Sequence, residues 1–152
     1  MKQIINDILE DSSFPQGVAW KQKSFNPEEI IVQENDIAES LFFIQQGTLQ
    51  VTLDLISSKK EATLSRICLL NQGDIFGETS LCQTGTRSAS VTAITHGTLV
   101  EINGERLSIY LDDHPIQGYL FYKQLFEIQV SRVKNTNLQV EKLLTLTDFI
   151  KS

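Results

Sequence analysis

The chain has 152 residues, 41% hydrophobic and 21% charged, enough apolar material to close the core of one ordinary domain. Its formal net charge is −6, unevenly spread: residues 1–115 carry 8 basic and 16 acidic groups, residues 116–152 carry 5 and 3. An acidic body lacks the Lys and Arg clusters that grip a phosphate backbone, so nucleic acid is not an expected partner.

Two cysteines, Cys68 and Cys82, close at most one disulfide and form no CxxC pair. They read as reduced thiols filling a core or pocket wall in a cytoplasmic protein. The N-terminus carries Asp7, Glu10 and Asp11 against a single Lys, which is not a signal peptide. Apolar runs such as residues 41–44 are far too short to span a membrane.

In chain order, Ile4, Ile5, Ile8 and Leu9 mark a short amphipathic helix within the first fifteen residues. Short β-favouring stretches follow at residues 30–32, 41–44, 48–55, 61–70, 88–94 and 98–102. Leu49, Val51, Leu53 and Leu55 alternate with polar residues, as in a strand with one wet face. Ser57-Ser58-Lys59-Lys60 reads as a hairpin tip. The pattern predicts a mainly β fold, an antiparallel β-roll or jelly roll. A helix is expected over 105–111, stopped by Asp112-Asp113-His114-Pro115. Pro115 can open a second helix over 116–150, long enough to overhang the roll. The expected organisation is a β-roll over 1–115 with flanking helices, then a long C-terminal helix over 116–152. Tyr119, Phe126, Val130, Val133, Val140 and Leu144 form a heptad-like seam, interrupted by Lys123 and Asn137, that predicts a homodimer. The bland alternative is a helix folded back onto its own sheet.

The stretch from Asn71 to Ala93, NQGDIFGETSLCQTGTRSASVTA, carries the chemistry. Gly73, Gly77 and Gly85 allow tight turns, and Thr79-Ser80-Leu81 can form a helical turn with anion-binding N–H groups. Glu78 and Arg87 supply a carboxylate and a guanidinium nine residues apart. A small ligand with a phosphate and a hydroxyl pair would use that set. Taken alone, the two side chains read as a plain surface ion pair, and it is the surrounding glycines and spacing that favour a ligand site.

Phe76-Gly77-Glu78, Ser80-Leu81 and Arg87-Ser88-Ala89 resemble the phosphate-binding cassette of the cyclic nucleotide-binding domain family. The likeness extends upstream through Leu41-Phe42-Phe43-Ile44, Gly47 and Asn71-Gln72-Gly73-Asp74. Within the family it is similar to the sensor domain of bacterial catabolite activators, running without a gap from Arg87 to Pro115. The resemblance implies that Glu78 accepts from a ribose 2′-hydroxyl and Arg87 pairs with the cyclic phosphate. Backbone N–H groups near Gly77, Ser80 and Leu81 then cradle that phosphate, with Ser88 on phosphate or base. It also implies a purine slot lined by Ile67, Cys68 and Leu70. Arg132 and Val133 of the long helix would cap the base, with Thr136 one turn on.

The chain ends at Ser152, where those activators continue into a helix-turn-helix, so the expectation is a stand-alone sensor. Its expected ligand is cyclic AMP ahead of cyclic GMP, since relatives preferring cyclic GMP often carry Thr where Ser88 stands. The alternative is an interaction module of the same fold that binds no nucleotide. A metal-dependent enzyme on this kind of roll needs several histidines around one metal, whereas His96 and His114 stand alone in turns. Neither an enzyme nor a metal or prosthetic group is expected; a downstream protein partner is.

Overall fold

The computed structural model describes residues 1–55, 64–82 and 85–151, with side chains except at 53–55, 64–67 and 149–151. Within these, strands numbered in chain order form two four-stranded sheets. One runs β1 (Trp20–Phe25), β10 (Gly97–Asn103), β4 (Ser40–Gln46), β7 (Ile75–Phe76). The other runs β2 (Ile30–Val32), β9 (Ser90–Ala93), β5 (Leu49–Leu55), β6 (Leu64–Leu70). All pairings between these strands are antiparallel, and β3 (Ile37–Ala38) with β8 (Gly85–Thr86) makes a separate ribbon. This is the expected β-roll. The alternation fails to mark β1, whose residues are mostly exposed, and the two-residue strands β3, β7 and β8 are too short to show a period. The expected strand over 88–94 begins at Ser90, because Ser88 and Ala89 form a bend. The 57–60 hairpin tip lies outside the described residues.

The strand β4 shows why the roll forms here. Successive side chains leave a strand on opposite faces, and in Leu41-Phe42-Phe43-Ile44 both faces are apolar. Phe42 and Ile44 enter the core between the sheets with Phe25, Leu49, Leu70 and Leu99. Leu41 and Phe43 enter a second core beneath the helices. Phe42 also stacks on its cross-strand partner Phe76, ring centroids 4.8 Å apart.

Three helices cover the first sheet's outer face. Helix α1 (Lys2–Glu10) buries Ile4, Ile5 and Ile8. Helix α2 (Gly104–Asp113) starts at Asn103, whose side chain accepts the Arg106 N–H at 2.9 Å, and buries Leu107, Tyr110 and Leu111. Helix α3 (Pro115–Lys151) runs unbroken through Asn135-Thr136-Asn137 for about 55 Å. Its first third anchors through fully buried Phe121, while residues 137–148 are all exposed.

The α2–α3 junction is tied to the N-terminus. Tyr110 donates its hydroxyl to the Asp11 carboxylate at 2.7 Å, and His114 Nε2 lies 3.7 Å from the same group. The Ser13 backbone N–H, then the Tyr110 and Ser13 hydroxyls, hold the Asp11 carboxyl down at about 2. Burial, then the Asp11 hydrogen bond, pushes Tyr110 up to about 12.

Candidate functional site

The strand β7 ends at Phe76 because Gly77 adopts φ +77°, a left-handed conformation that turns the chain into a 3-10 turn over Glu78–Leu81. The backbone also runs close to its neighbours there. A Cβ on Gly77 would sit 2.8 Å from Arg87 Nη1 and 2.9 Å from the Ser40 carbonyl oxygen. Within the turn, Ser80 donates its hydroxyl at 2.9 Å and its N–H at 3.2 Å to the Gly77 carbonyl. Ser80 rests on Gly104 at the start of α2, where a Cβ would come within 2.8 Å of Ser80 Oγ. Leu81 packs toward the helical core. Ser80 and Leu81 therefore face α2, and it is Thr79, the first residue of the expected helical turn, that joins Gly77 and Glu78 on the cavity wall.

Arg87 is 9% exposed and fixed at both ends. Its backbone N–H donates to the Asp36 carbonyl at 2.7 Å, and its own carbonyl accepts from the Asn35 N–H at 2.9 Å. Its Nη2 donates to the Ser40 carbonyl at 2.7 Å, and its guanidinium lies 5.4 Å from the Phe42 ring centroid. Burial pushes Arg87 below the usual guanidinium range against the pull of Glu101 and Asp36, yet an arginine stays charged at neutral pH. Among the described residues no carboxylate forms an ion pair with Arg87. The surface-pair reading of Glu78 with Arg87 is thus replaced. Glu78 Oε1 instead accepts from Arg132 Nη1 at 3.1 Å and from Gln129 Nε2, both on α3.

A cavity of about 250 Å³ opens over Arg87. Leu70, Phe76 and Val91 form its apolar wall; Arg87, Ser88 and Glu78 supply its polar groups. A second groove of about 550 Å³ follows α3, sharing Cys68, Ser88 and Arg132 with the first and adding Thr136. Cys68 thus lies on a cavity wall, whereas Cys82 is exposed just past the 3-10 turn rather than packed in a core. The Ile67 backbone pairs with Thr52, and its side chain lies outside those described. Val133 is 57% exposed and lines neither cavity. It follows Arg132 directly, and a one-residue step rotates a helix by about 100°.

Gln129 escaped sequence reasoning: it lies three residues before Arg132 on the same helix face, but only the fold brings that face to Glu78. Together these groups can hold a small molecule with an anionic end, hydroxyls and a flat apolar part. Two further facts bound the chemistry. Among the described residues no helix is long and apolar enough to cross a membrane. Among them also, no three His, Cys, Asp or Glu side chains cluster as metal ligands would.

The family model for the cyclic nucleotide-binding domain matches residues 22–114. The human potassium/sodium hyperpolarization-activated cyclic nucleotide-gated channel 2 is 32% identical over 113 residues. That match covers 73% of this chain and 12% of the channel. Among solved structures, the Thermus thermophilus catabolite activator protein superposes with a TM-score of 0.67 at 19% identity, covering 94% of this chain and 60% of that one. The regulatory domain of Toxoplasma gondii PKA, crystallised with cAMP, gives 0.54 at 21% identity, covering 72% of this chain and 37% of its own.

Proposed function

The chain belongs to the cyclic nucleotide-binding domain family, and we propose that it is a regulatory sensor that binds cyclic AMP in preference to cyclic GMP. The observation that carries the reading is Arg87: a buried, charged guanidinium on a cavity wall, with no carboxylate partner among the described residues. Glu101 and Asp36 act on it only from beyond ion-pair distance, and a cyclic phosphate beside Gly77 would satisfy this costly buried cation through a charge-assisted fork. Glu78 takes the ribose hydroxyl, and Ser88 contacts phosphate or base. The apolar wall around Leu70 and Cys68 receives the purine, with Arg132 and Thr136 above it. Ser88 in the place of a longer threonine supports the choice of cyclic AMP.

The roll over 1–115 is the binding unit, and the helix over 116–152 is its output. The seam residues Tyr119, Phe126, Val133, Val140 and Leu144 are each between 46% and 64% exposed or, for Phe126, 69%. The seven-residue spacing of the first four, with Leu144 four residues further on, supports a homodimer along α3. The protein works in the cytoplasm, without a metal or prosthetic group, and transmits its signal to another protein rather than catalysing a reaction.

Calorimetric titration of the wild-type protein with cyclic AMP and cyclic GMP tests the reading. Micromolar or tighter binding of cyclic AMP is expected. A preference for cyclic GMP of about tenfold, or 1.4 kcal/mol, overturns the choice of base. Absence of heat with either nucleotide overturns the sensor in favour of a nucleotide-independent interaction module.

A further inference from the structure

Four side chains stand in one row across the first sheet. Lys21 of β1 pairs with Glu101 of β10, Glu101 with Phe42 of β4, and Phe42 with Phe76 of β7. Cross-strand partners share a face, and Phe42 and Phe76 pack in the core between the sheets, so Glu101 is on that inner face too. Arg87 lies against the middle of this row. Its Nη2 donates to the Ser40 carbonyl and its guanidinium is 5.4 Å from the Phe42 ring centroid. Ser40 and Phe42 pair with Asn103 and Glu101, so the guanidinium spans two positions of β4 with a carboxylate on the strand beside them.

That carboxylate is directed elsewhere. Glu101 Oε2 lies 2.9 Å from Lys23 Nζ and 3.3 Å from Lys21 Nζ. The oxygen is shut off from solvent, while the lysine side chains are 49% and 59% exposed. Burial raises the Glu101 carboxyl, but Lys23 and then Lys21 outweigh it and hold it below the usual carboxylate range, so it is ionised at neutral pH. One lysine would neutralise it, and exposed pairs of this kind add little to folding stability. The arrangement matters instead for Arg87, on which Glu101, ahead of Asp36, acts through space.

We infer that Lys21 and Lys23 are positioning residues of the phosphate site: they hold the Glu101 carboxylate away from Arg87 and so keep the guanidinium free for the anionic end of the ligand. The inference rests on the assignment of Arg87 to the phosphate. Without the lysines, a sheltered carboxylate and a buried guanidinium on adjacent elements are each other's nearest remedy for lost hydration. An ion pair between them competes directly with a phosphate, because both anions use the same fork of N–H donors. With the lysines present, the two cations and one carboxylate sum to +1 instead of −1, which favours an anion nearby.

The test is a thermodynamic cycle. Lys21→Gln and Lys23→Gln change exposed positions, so the double variant should fold as wild type does, checked by circular dichroism. It should bind cyclic AMP about three- to tenfold more weakly. In the Glu101→Gln background the same two changes should cost less than about twofold, because the competing carboxylate is gone. A general loss of positive field, or a structural role of the lysines, would cost the same in both backgrounds. Equal cost in the two backgrounds, or no cost in the first, overturns the inference.

A second measurement needs no nucleotide. The Arg87 Nε–H resonance of the free protein should move in the lysine double variant and return toward its wild-type position when Glu101→Gln is added. An unmoved resonance in the double variant also overturns the inference. If wild type and variants all fail to bind cyclic nucleotide, the sensor reading falls. The resonance then decides on its own whether the lysines hold Glu101 off Arg87.

Discussion

Replacing Arg87 with alanine is the sharpest test of the phosphate site, and the structure sets the expected size of the effect. Nη2 donates to the Ser40 carbonyl at 2.7 Å, and Nη1 stands beside Gly77, so the guanidinium can still offer N–H groups to a ligand there. Two charge-assisted hydrogen bonds at about 1.5–3 kcal/mol each would be lost together. We expect a net loss of about 3–5 kcal/mol, roughly 150- to 5,000-fold in affinity. The acidic body cannot make up the deficit by long-range attraction. Arg87→Lys keeps the charge but not the fork, so it should fall between wild type and Arg87→Ala. Isothermal titration with cyclic AMP reads all three proteins, and circular dichroism confirms that each is folded. Removing the side chain also strips the Ser40 carbonyl of its donor, so Arg87→Ala should unfold at a lower temperature. Equal affinity of folded Arg87→Ala and wild type would refute the placement of the phosphate against Arg87.

Gly104→Ala would push a methyl group against Ser80, costing about 1–3 kcal/mol; urea denaturation should show an earlier midpoint, and an unchanged midpoint would disprove the tight packing of cassette on α2. Asp11 is lowered from 3.8 to about 2, so its contribution is present above the unfolded value and disappears as pH falls through about 2. Between pH 5 and 2 the wild-type urea midpoint should therefore drop more than that of Asp11→Asn; parallel curves would remove Asp11 from the account. Phe126, 69% exposed on the seam, should tolerate Phe126→Lys within about 0.5 kcal/mol of folding stability. That variant should sediment as a monomer where wild type is a dimer; a monomeric wild type at high micromolar concentration would defeat the seam.

The fold was legible where a period was long enough to express itself. The apolar run 41–44 and the alternation begun by Leu49 and Val51 belong to strands with at least one buried face. Strands β3 and β7 are held by two-residue pairings with β8 and β4, and no local pattern can announce a partner so distant in sequence. The cassette residues were readable because their spacing within one short loop is itself the signal. Gln129 was not, because its meaning depends on how α3 lies across Glu78, a contact spanning 51 positions. Val133 illustrates the converse: neighbouring residues on a helix do not share a face, so a match in register carried Arg132 to the cavity and left Val133 outside it.

The strand β4 lies between two cores, with Leu41 and Phe43 in one and Phe42 and Ile44 in the other. It also offers the Ser40 carbonyl to Arg87. Neither core can come apart while this strand keeps its place, so sandwich and helical layer should melt in a single cooperative transition. Amide exchange along residues 41–44 should then require global opening, and those protons should be among the last to leave. The ligand site inherits that behaviour. Its guanidinium is held by the Ser40 carbonyl at the start of that strand, so opening of the site is expected from the cassette side, through Gly77 and the turn that follows it.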